Sequence, residues 1–291
     1  MTSTALLLNN STRAGSIATC HQLSITLRTD FKITILGSGA ALPLHDRNCS
    51  AQAVCIRGFR MLLDCGEGTQ TQIRHNHIKL QSISLICVSH LHGDHFFGLP
   101  PLLSTMHLCG RTTPLTIVGP AGIKELIENI NAACGNHLQF DIEFVELTDM
   151  AEGSTCQVYE CKDCVISAFP LRHTMPCYGY LITEQNAATP ARRYAYCCDT
   201  APYPMLADTV RGVDLLCMES TFDNQYAEAA GKFKHSTAAQ AAQTAAEANV
   251  KRLLLTHFSA RYKESVDPLI EQAQQHFADT IAAEDNMTLL L

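Results

Sequence analysis

Ser89-His90-Leu91-His92-Gly93-Asp94-His95 is the stretch that decides the fold of this 291-residue chain. It follows Ile83–Val88, an apolar run typical of a buried strand. Because successive residues of an extended segment point to opposite faces, its first two histidines share one side. A turn at the glycine brings the aspartate and the last histidine to a second position. Imidazole and carboxylate ligands together suit zinc, iron or manganese better than calcium or magnesium. The stretch therefore predicts a metal site.

Length and composition fit a globular protein with a sizeable core. A formal net charge of −7 argues against a protein that coats nucleic acid, but it leaves room for a local basic patch. The 14 cysteines are scattered through apparent strands, and no signal peptide is recognisable, so we expect reduced thiols in the cytoplasm. No apolar run is long enough to cross a bilayer, so we expect a soluble protein with no membrane partner.

The domain prediction divides the chain at residue 22. Residues 1–22 are rich in Ser, Thr and Asn and show no sustained periodicity, which indicates a loose extension. Residues 23–291 are predicted to form a single domain that opens with a strand-like pattern over Leu23–Ile35. The glycine-rich Gly37–Pro43 then makes a tight turn, because it lacks the lysine and the spacing of a phosphate-binding loop.

A second acidic, glycine-rich stretch follows two short predicted strands. In Asp64–Gln70 the glycines permit a close approach to the metal loop, which would place Asp64 and Glu67 to hydrogen-bond the ligand imidazoles. The alternative is a plain turn before a helix over Thr69–His75. His75 and the nearby His77 are interpreted as surface residues.

Further ligand-type side chains follow other predicted strands, namely His173, Asp199, Glu219 and His257. Helices alternate with these strands, and His235 precedes one whose start is marked by the capping-box pair Thr237 and Gln240. The two halves thus repeat one plan, which predicts an α/β protein with two mixed sheets and helices outside. Cys161 and Cys164 have the spacing of a zinc knuckle but lack a matching second pair, so we interpret them as reduced cysteines in a hairpin.

Seven ligand-type residues suggest two metal ions that share a bridging carboxylate. Two cations ~3.5–4 Å apart hold a bridging hydroxide and stabilise both oxygens of an in-line displacement. Such a site suits hydrolysis of a phosphodiester or another stable ester. The seven residues are His90, His92, Asp94, His95, His173, Asp199 and His257.

Ser89–His95 resembles the metal loop of the metallo-β-lactamase superfamily, and further stretches resemble the ribonuclease Z (tRNA 3′-processing endonuclease) family. They occur in the family's order over about Ile33 to Tyr262. The resemblance implies an αβ/βα sandwich with two sheets packed face to face. The further stretches are Gly37–Pro43 followed by Arg47-Asn48, Asp64–Gln70, His95–Pro100, Tyr178-Gly179-Tyr180, His235-Ser236-Thr237 and Thr256–Tyr262.

The resemblance also implies a role for each matching residue. His90, His92 and His173 would hold one zinc, Asp94, His95 and His257 the other, and Asp199 would bridge them. Manganese is the alternative metal. Asp94 would also accept a proton near the bridging water. His235, oriented by Glu219, would donate a proton to the leaving 3′ oxygen. The family further implies a cytoplasmic homodimer.

Three departures from the family pattern stand out. Cys198 replaces the usual glycine before Asp199, and Met218 replaces the usual histidine before Glu219. The third is the family's long basic arm, which here is reduced to Ile182–Arg193 with Arg192 and Arg193 as its only cations. We therefore expect weaker binding of the tRNA precursor than is usual for the family, because phosphate contacts dominate nucleic-acid affinity.

The leading hypothesis is a zinc-dependent endoribonuclease that removes 3′ trailers from tRNA precursors. The main alternative is a phosphodiesterase of the same fold that acts on cyclic or dinucleotide phosphodiesters, which the short arm and acidic charge favour. An iron or sulfur-metabolising protein of this fold is disfavoured, because His92 stands where the oxygen-reducing diiron type has a carboxylate. A non-catalytic metal-binding scaffold is disfavoured by the complete set of ligands and the acid pair.

Overall fold

The computed structural model describes residues 31–186 and 190–291. The predicted extension over residues 1–22 and the predicted strand residues before Phe31 lie outside this part of the chain. Within it, no helix is both long and apolar enough to span a bilayer. In these described ranges, fourteen strands, numbered in chain order, form two seven-stranded sheets.

The first sheet has the strand order β14-β1-β2-β3-β4-β5-β6. Its pairs are antiparallel from β14 to β3 and parallel from β3 to β6. Its strands are β1 (Phe31–Gly37), β2 (Ala51–Ile56), β3 (Phe59–Leu63), β4 (Ile83–Cys87), β5 (Leu115–Pro120), β6 (Ile142–Leu147) and β14 (Thr288–Leu290).

The second sheet repeats this plan in the order β13-β12-β11-β10-β9-β8-β7. Its pairs are parallel from β13 to β10 and antiparallel from β10 to β7. The prediction of two mixed sheets with a repeated plan is therefore confirmed. The strands are β7 (Cys156–Glu160), β8 (Cys164–Leu171), β9 (Cys177–Glu184), β10 (Arg193–Cys197), β11 (Leu215–Glu219), β12 (Leu253–Thr256) and β13 (Thr280–Ala282).

Eight α-helices are present in the described residues. Short 3₁₀ turns cover Leu80–Ser82, Asn224–Tyr226 and Ala260–Tyr262. The helix predicted after His235 begins with the predicted capping box. The helices are α1 (Thr69–His75), α2 (Gly93–Phe96), α3 (Leu99–Leu108), α4 (Ile123–Cys134), α5 (Pro204–Thr209), α6 (Ala227–Phe233), α7 (Ala238–Glu247) and α8 (Asp267–Gln274).

The two sheets enclose one apolar core, to which Ile33 of the first sheet and Tyr194 of the second both belong. Buried hydroxyl groups join the sheets within it, because a buried polar group without a partner would destabilise the fold. The Tyr194 hydroxyl donates to the Gln52 side chain, and the Tyr180 hydroxyl donates to the Val88 carbonyl at 2.7 Å. A second core cluster lies between the first sheet and its helices. The layers therefore match the predicted sandwich.

One predicted helix differs in its break point. The sequence predicted a single helix over His95–Leu108 broken at Pro100-Pro101, whereas the chain forms α2 and α3 and turns at Gly98. Both prolines lie in the first turn of α3, where a missing N–H costs no helical hydrogen bond. Gly98 packs so tightly on Gly66 that a Cβ atom would lie 1.9 Å from the Gly66 carbonyl oxygen. Backbone contact therefore sets the break.

Candidate metal centre and acid pair

The predicted site residues lie at one edge of the sandwich. Strands β3 and β4 of the first sheet, and β8, β10, β11 and β12 of the second, all end there. These strands run in the same direction within each sheet, so the residues that follow them meet. Several of the predicted site residues line a cleft of about 550 Å³. The lining side chains include His92, Asp94, His173, Asp199, His235 and His257.

A first donor cluster consists of His90, His92, His173 and one oxygen of Asp199. His92 Nδ1 lies 2.9 Å from His90 Nε2 and 3.2 Å from His173 Nε2. The Asp199 Oδ2 atom lies 3.5 Å from both His90 Nε2 and His173 Nε2. Four potential ligand atoms therefore converge from three separate segments of the chain.

The second donor cluster uses the other oxygen of the same aspartate. Asp199 Oδ1 lies 3.4 Å from His95 Nε2 and 3.0 Å from His257 Nε2. Asp94 Oδ2 lies 3.3 Å from each of these two nitrogens, which are themselves 3.2 Å apart. Asp199 thus belongs to both clusters, through a different oxygen in each.

The donor spacing in both clusters fits a metal ion. A tetrahedral zinc with ligand distances of about 2.0–2.1 Å sets its ligand atoms about 3.3 Å apart. The separations given above run from 2.9 to 3.5 Å, and the four ligand atoms of the first cluster all lie within 4.8 Å of one another. Several imidazole nitrogens also face each other at these distances, and a shared cation would satisfy them all at once. The residues present therefore fit a divalent cation in each cluster.

Three residues at this edge have left-handed backbone conformations that non-glycine residues rarely adopt. Asp64, Asp199 and His257 follow β3, β10 and β12 and have φ angles of 58°, 57° and 60°. Each of them lies in or against the donor clusters. Such strain persists only where the surroundings hold it, and it is concentrated at functional sites. At Asp199 and His257 it turns the side chain into the cleft, and at Asp64 it turns the side chain towards the metal loop.

Asp64 supports the metal loop from behind, as predicted. It is fully buried, and its Oδ2 atom lies 2.7 Å from His95 Nδ1. It also accepts hydrogen bonds from the Ser89 backbone at 2.6 Å and from the Tyr196 hydroxyl at 2.7 Å. The matching prediction for Glu67 is wrong, because this side chain is exposed and lines the cleft rather than bonding an imidazole.

Burial and neighbouring charges shift the pKa values of side chains in both clusters. Burial lowers the pKa of His95, but the carboxylates of Asp199, Asp64 and Asp94 outweigh it and raise that pKa well above its ordinary value. Burial raises the pKa of Asp199, yet the surrounding imidazoles hold it well below its ordinary range. For His90 burial dominates and lowers the pKa, which favours the neutral ring that binds metals. The clusters thus offer deprotonated carboxylates and, at His90, a neutral imidazole, whereas His95 would have to release a proton to bind a cation.

His235 and Glu219 form a hydrogen-bonded pair beside the clusters. His235 Nδ1 lies 2.8 Å from Glu219 Oε1, which also accepts the Thr200 backbone N–H at 2.9 Å. Burial lowers the pKa of His235, but the charge of the Glu219 carboxylate and its hydrogen bond raise it to about 9. His235 is therefore a positively charged imidazolium at neutral pH, with a proton on both ring nitrogens.

Supporting contacts of three residues were not predicted from the sequence. The Ala41 backbone N–H donates to Asp94 Oδ2 at 2.8 Å. The Thr221 hydroxyl lies 2.6 Å from Glu219 Oε2 and 2.9 Å from His257 Nδ1, so it links the acid pair to the second cluster. The Cys198 thiol lies 3.5 Å from Asp199 Oδ1. The spacing of Thr221 from Glu219 could have indicated the second contact, whereas the others depend on backbone geometry.

Residues interpreted as non-functional lie away from the cleft. His75 and His77 are exposed. Cys161 and Cys164 lie in the hairpin between β7 and β8, with their sulfur atoms 3.6 Å apart. In the part of the chain that the structure describes, every cysteine is free.

Both arginines predicted for the connection between β9 and β10 make contacts within the protein, Arg192 from the connection and Arg193 as the first residue of β10. Arg192 binds both oxygens of the buried Glu184 carboxylate through Nε at 2.8 Å and Nη2 at 2.6 Å, and Arg57 binds the same carboxylate at 2.9 Å. Arg193 Nη1 donates to the Arg211 carbonyl at 3.0 Å. Both cations predicted for this connection are therefore engaged within the protein.

The chain is similar to proteins of one known family. Residues 59–258 match the family model of the beta-lactamase superfamily domain. Ribonuclease Z of Parabacteroides distasonis is 37% identical, with 89% of this chain and 99% of the relative covered. Ribonuclease Z of Methanosarcina acetivorans is 34% identical over 89% and 97% of the two chains. The crystal structure of the short form of human tRNase Z has a TM-score of 0.77 and 32% identity, covering 89% of this chain and 98% of that one.

Proposed function

This chain belongs to the ribonuclease Z family of the β-lactamase superfamily and is a metal-dependent hydrolase, and on that premise we propose that it removes 3′ trailers from tRNA precursors. One observation supports this most strongly. Both donor clusters and the pair of His235 and Glu219 open into the same cleft. A cation site alone would hydrolyse activated esters, whereas a nearby proton donor is needed to expel a sugar oxygen.

We propose zinc as the metal, with one ion in each donor cluster and Asp199 between them. The first ion would be held by His90, His92 and His173, the second by Asp94, His95 and His257. Nitrogen donors suit zinc well, and manganese is the alternative. Bound there, two such cations lower the pKa of water and stabilise negative charge on a phosphoryl group.

The protein side chains have two proton-transfer roles in this proposal. Burial raises the pKa of Asp94, but His95 and the hydrogen-bonding imidazoles lower it well below its ordinary value, so the side chain is ionised. In this proposal Asp94 accepts the proton of the attacking water, because bound cations would lower the pKa of that water. His235 uses Nδ1 to bind Glu219, which leaves Nε2 to protonate the leaving 3′ oxygen. Thr221 fixes Glu219 and His257 relative to each other.

The tRNA body is bound more weakly than is usual for the family in this proposal. The alignment to the first relative spans 304 residues although it covers 89% of this 291-residue chain, so that relative carries segments absent here. This supports a shortened arm. Arg192 and Arg193 are also engaged within the protein, which leaves few phosphate contacts from this connection. The same observation favours the alternative, a phosphodiesterase for cyclic or dinucleotide substrates.

Two further properties complete the proposal. The family resemblance supports a homodimer. The free thiols of the described cysteines support action in the reducing cytoplasm. Gel filtration with light scattering of the whole chain tests the first, and localisation of the tagged full-length chain tests the second.

Cleavage mapping tests the proposed reaction. Zinc-loaded protein is incubated with a 3′-extended tRNA precursor labelled at its 5′ end. We expect one cut beside the acceptor stem that leaves a 3′ hydroxyl on the tRNA, because His235 protonates that oxygen. Efficient hydrolysis of cyclic or dinucleotide phosphodiesters, together with an uncut precursor, would establish the alternative instead.

A further inference from the structure

Phe97 is an exposed aromatic side chain on the wall of the catalytic cleft. Most large hydrophobic side chains of the described residues are buried, yet Phe97 is 64% exposed. Of the few exposed ones, Phe97 and Phe233 line the cleft, whereas Leu108, at 82% exposure, does not. Single exposed apolar side chains are common on protein surfaces, but Phe97 lines the cleft of the donor clusters, where a bound ligand would cover its ring. The ring of Phe97 is therefore placed to contact a bound substrate.

Gly93 determines where this ring lies. A Cβ atom added at Gly93 would lie 2.7 Å from both Cδ2 and Cε2 of Phe97, so the ring rests directly on the backbone between His92 and Asp94. Gly93 does not have a left-handed φ angle, so space for the ring explains the glycine better than backbone freedom does. The neighbouring Phe96 is fully buried and contacts the ring of Phe97 edge to face at 6.2 Å. The ring is thus held in place before any substrate binds.

We infer that Phe97 stacks on the base of the first trailer nucleotide, immediately 3′ of the scissile phosphate; this inference rests on the proposed function. Every base offers a flat apolar face, and stacking on a fixed ring tolerates any sequence. A trailer is single-stranded and variable, so it suits this kind of contact.

The position of His235 indicates on which side of the scissile phosphate Phe97 makes its contact. His235 donates to the 3′ oxygen that stays with the tRNA, so the last tRNA nucleotide lies on the His235 side of the cleft. Phe97 instead packs against the loop that carries Asp94, the proton acceptor. Phe233, two residues before His235, belongs to the tRNA side. The two exposed rings thus come from different halves of the fold and serve different nucleotides.

A substrate cycle tests this stacking. The kcat/KM of the unaltered chain and of Phe97→Leu is measured on three precursors, one intact, one abasic at the first trailer position and one abasic at the last tRNA position. On the intact precursor we expect Phe97→Leu to lower kcat/KM by about 5- to 100-fold. On the precursor that lacks the first trailer base, the same substitution should have almost no effect. Phe97→Trp should restore cleavage of the intact precursor.

Controls separate stacking from damage to the cleft. Metal content of Phe97→Leu should equal that of the unaltered chain, and Leu108→Ala should leave all three rates unchanged. Equal losses on the intact precursor and on the one lacking the first trailer base would overturn the inference, as would a loss that disappears only when the last tRNA base is missing. Failure of the unaltered chain to cut any tRNA precursor is a distinct result, which would reject the proposed function itself.

Discussion

The catalytic cleft and the connection between β9 and β10 place their charged side chains in opposite ways. In the cleft, buried groups such as Asp64 and Thr221 hold His95 and His257 so that their Nε2 atoms face the second cluster. In the connection, the buried Glu184 draws Arg192 away from solvent and into the protein. In the cleft, a buried carboxylate orients an imidazole towards the donor cluster. In the connection, a buried carboxylate pairs with an arginine side chain. In the proposed function, the cleft keeps the groups needed for hydrolysis, whereas the two arginines predicted for the connection are engaged within the protein and offer few contacts to a large polyanion.

The largest expected effect follows from removing the shared carboxylate. Asp199→Ala should lower metal occupancy in both clusters and abolish activity, because each of its oxygens belongs to a different cluster. Metal analysis after zinc titration measures this, and we expect close to two ions per unaltered chain. One tightly held metal and an empty second site in the unaltered chain would contradict the two-metal proposal.

Removal of the proton donor should have the next largest effect. His235→Ala should slow esters with poor leaving groups by about 10²–10⁴-fold, while metal content is unchanged. Activated p-nitrophenyl esters, whose leaving group needs little protonation, should lose far less. Equal losses on both substrates would mean that His235 acts in binding or structure.

The pH profile sharpens the same assignment. The pKa of His235 is raised to about 9, so its protonated form is present at neutral pH and is lost only as the pH rises through that value. Cleavage of poor leaving groups should therefore fall on the alkaline side. Glu219→Gln removes the charge that raises this pKa, and nearby cations lower it further. The fall should move to lower pH in that variant, and an unchanged profile would refute the acid assignment.

A matched pair of buried carboxylates tests the comparison between the two regions. Asp64→Asn should weaken metal affinity by about 10- to 100-fold, because it alters the partner of a proposed ligand imidazole. Glu184→Gln removes an equally buried charge and should lower thermal stability, but metal affinity should stay unchanged. Competition with a chelator and thermal melts measure both. Similar metal affinities in the two variants would show that Asp64 only stabilises the fold.

The smallest expected effect comes from restoring an arm. A basic insertion between Gln185 and Pro190 should lower the KM for a tRNA precursor by about tenfold and leave kcat nearly unchanged, because it adds binding away from the reacting atoms. An uncharged insertion of equal length is the control. A change in kcat with the basic insertion would mean that the arm positions the reacting groups.

The residues of the cleft were easier to predict from the sequence than the contacts that hold them in place. The dense loop around His92 and the residues after other strands were recognisable because parallel strands bring their carboxyl ends together. The contact of Ala41 with Asp94 was not, since it depends on a backbone N–H and a left-handed turn. The inward orientation of Arg192 was also missed, because a count of cations ignores the carboxylate that pairs with them. The exposure of Phe97 was also not predictable, because the neighbouring Phe96 has the same side chain and is fully buried.

A kinetic comparison of two substrates tests whether the cleft processes tRNA precursors. The kcat and KM for a 3′-extended tRNA precursor are measured over a range of salt concentrations, beside those for bis-p-nitrophenyl phosphate. We predict cleavage of the precursor with a high KM and a shallow salt dependence. Each neutralised duplex phosphate contributes about −0.9 to the slope of log affinity against log salt, and the connection between β9 and β10 can make few such contacts. A protein that ignores tRNA precursors while hydrolysing small phosphodiesters efficiently would contradict the account.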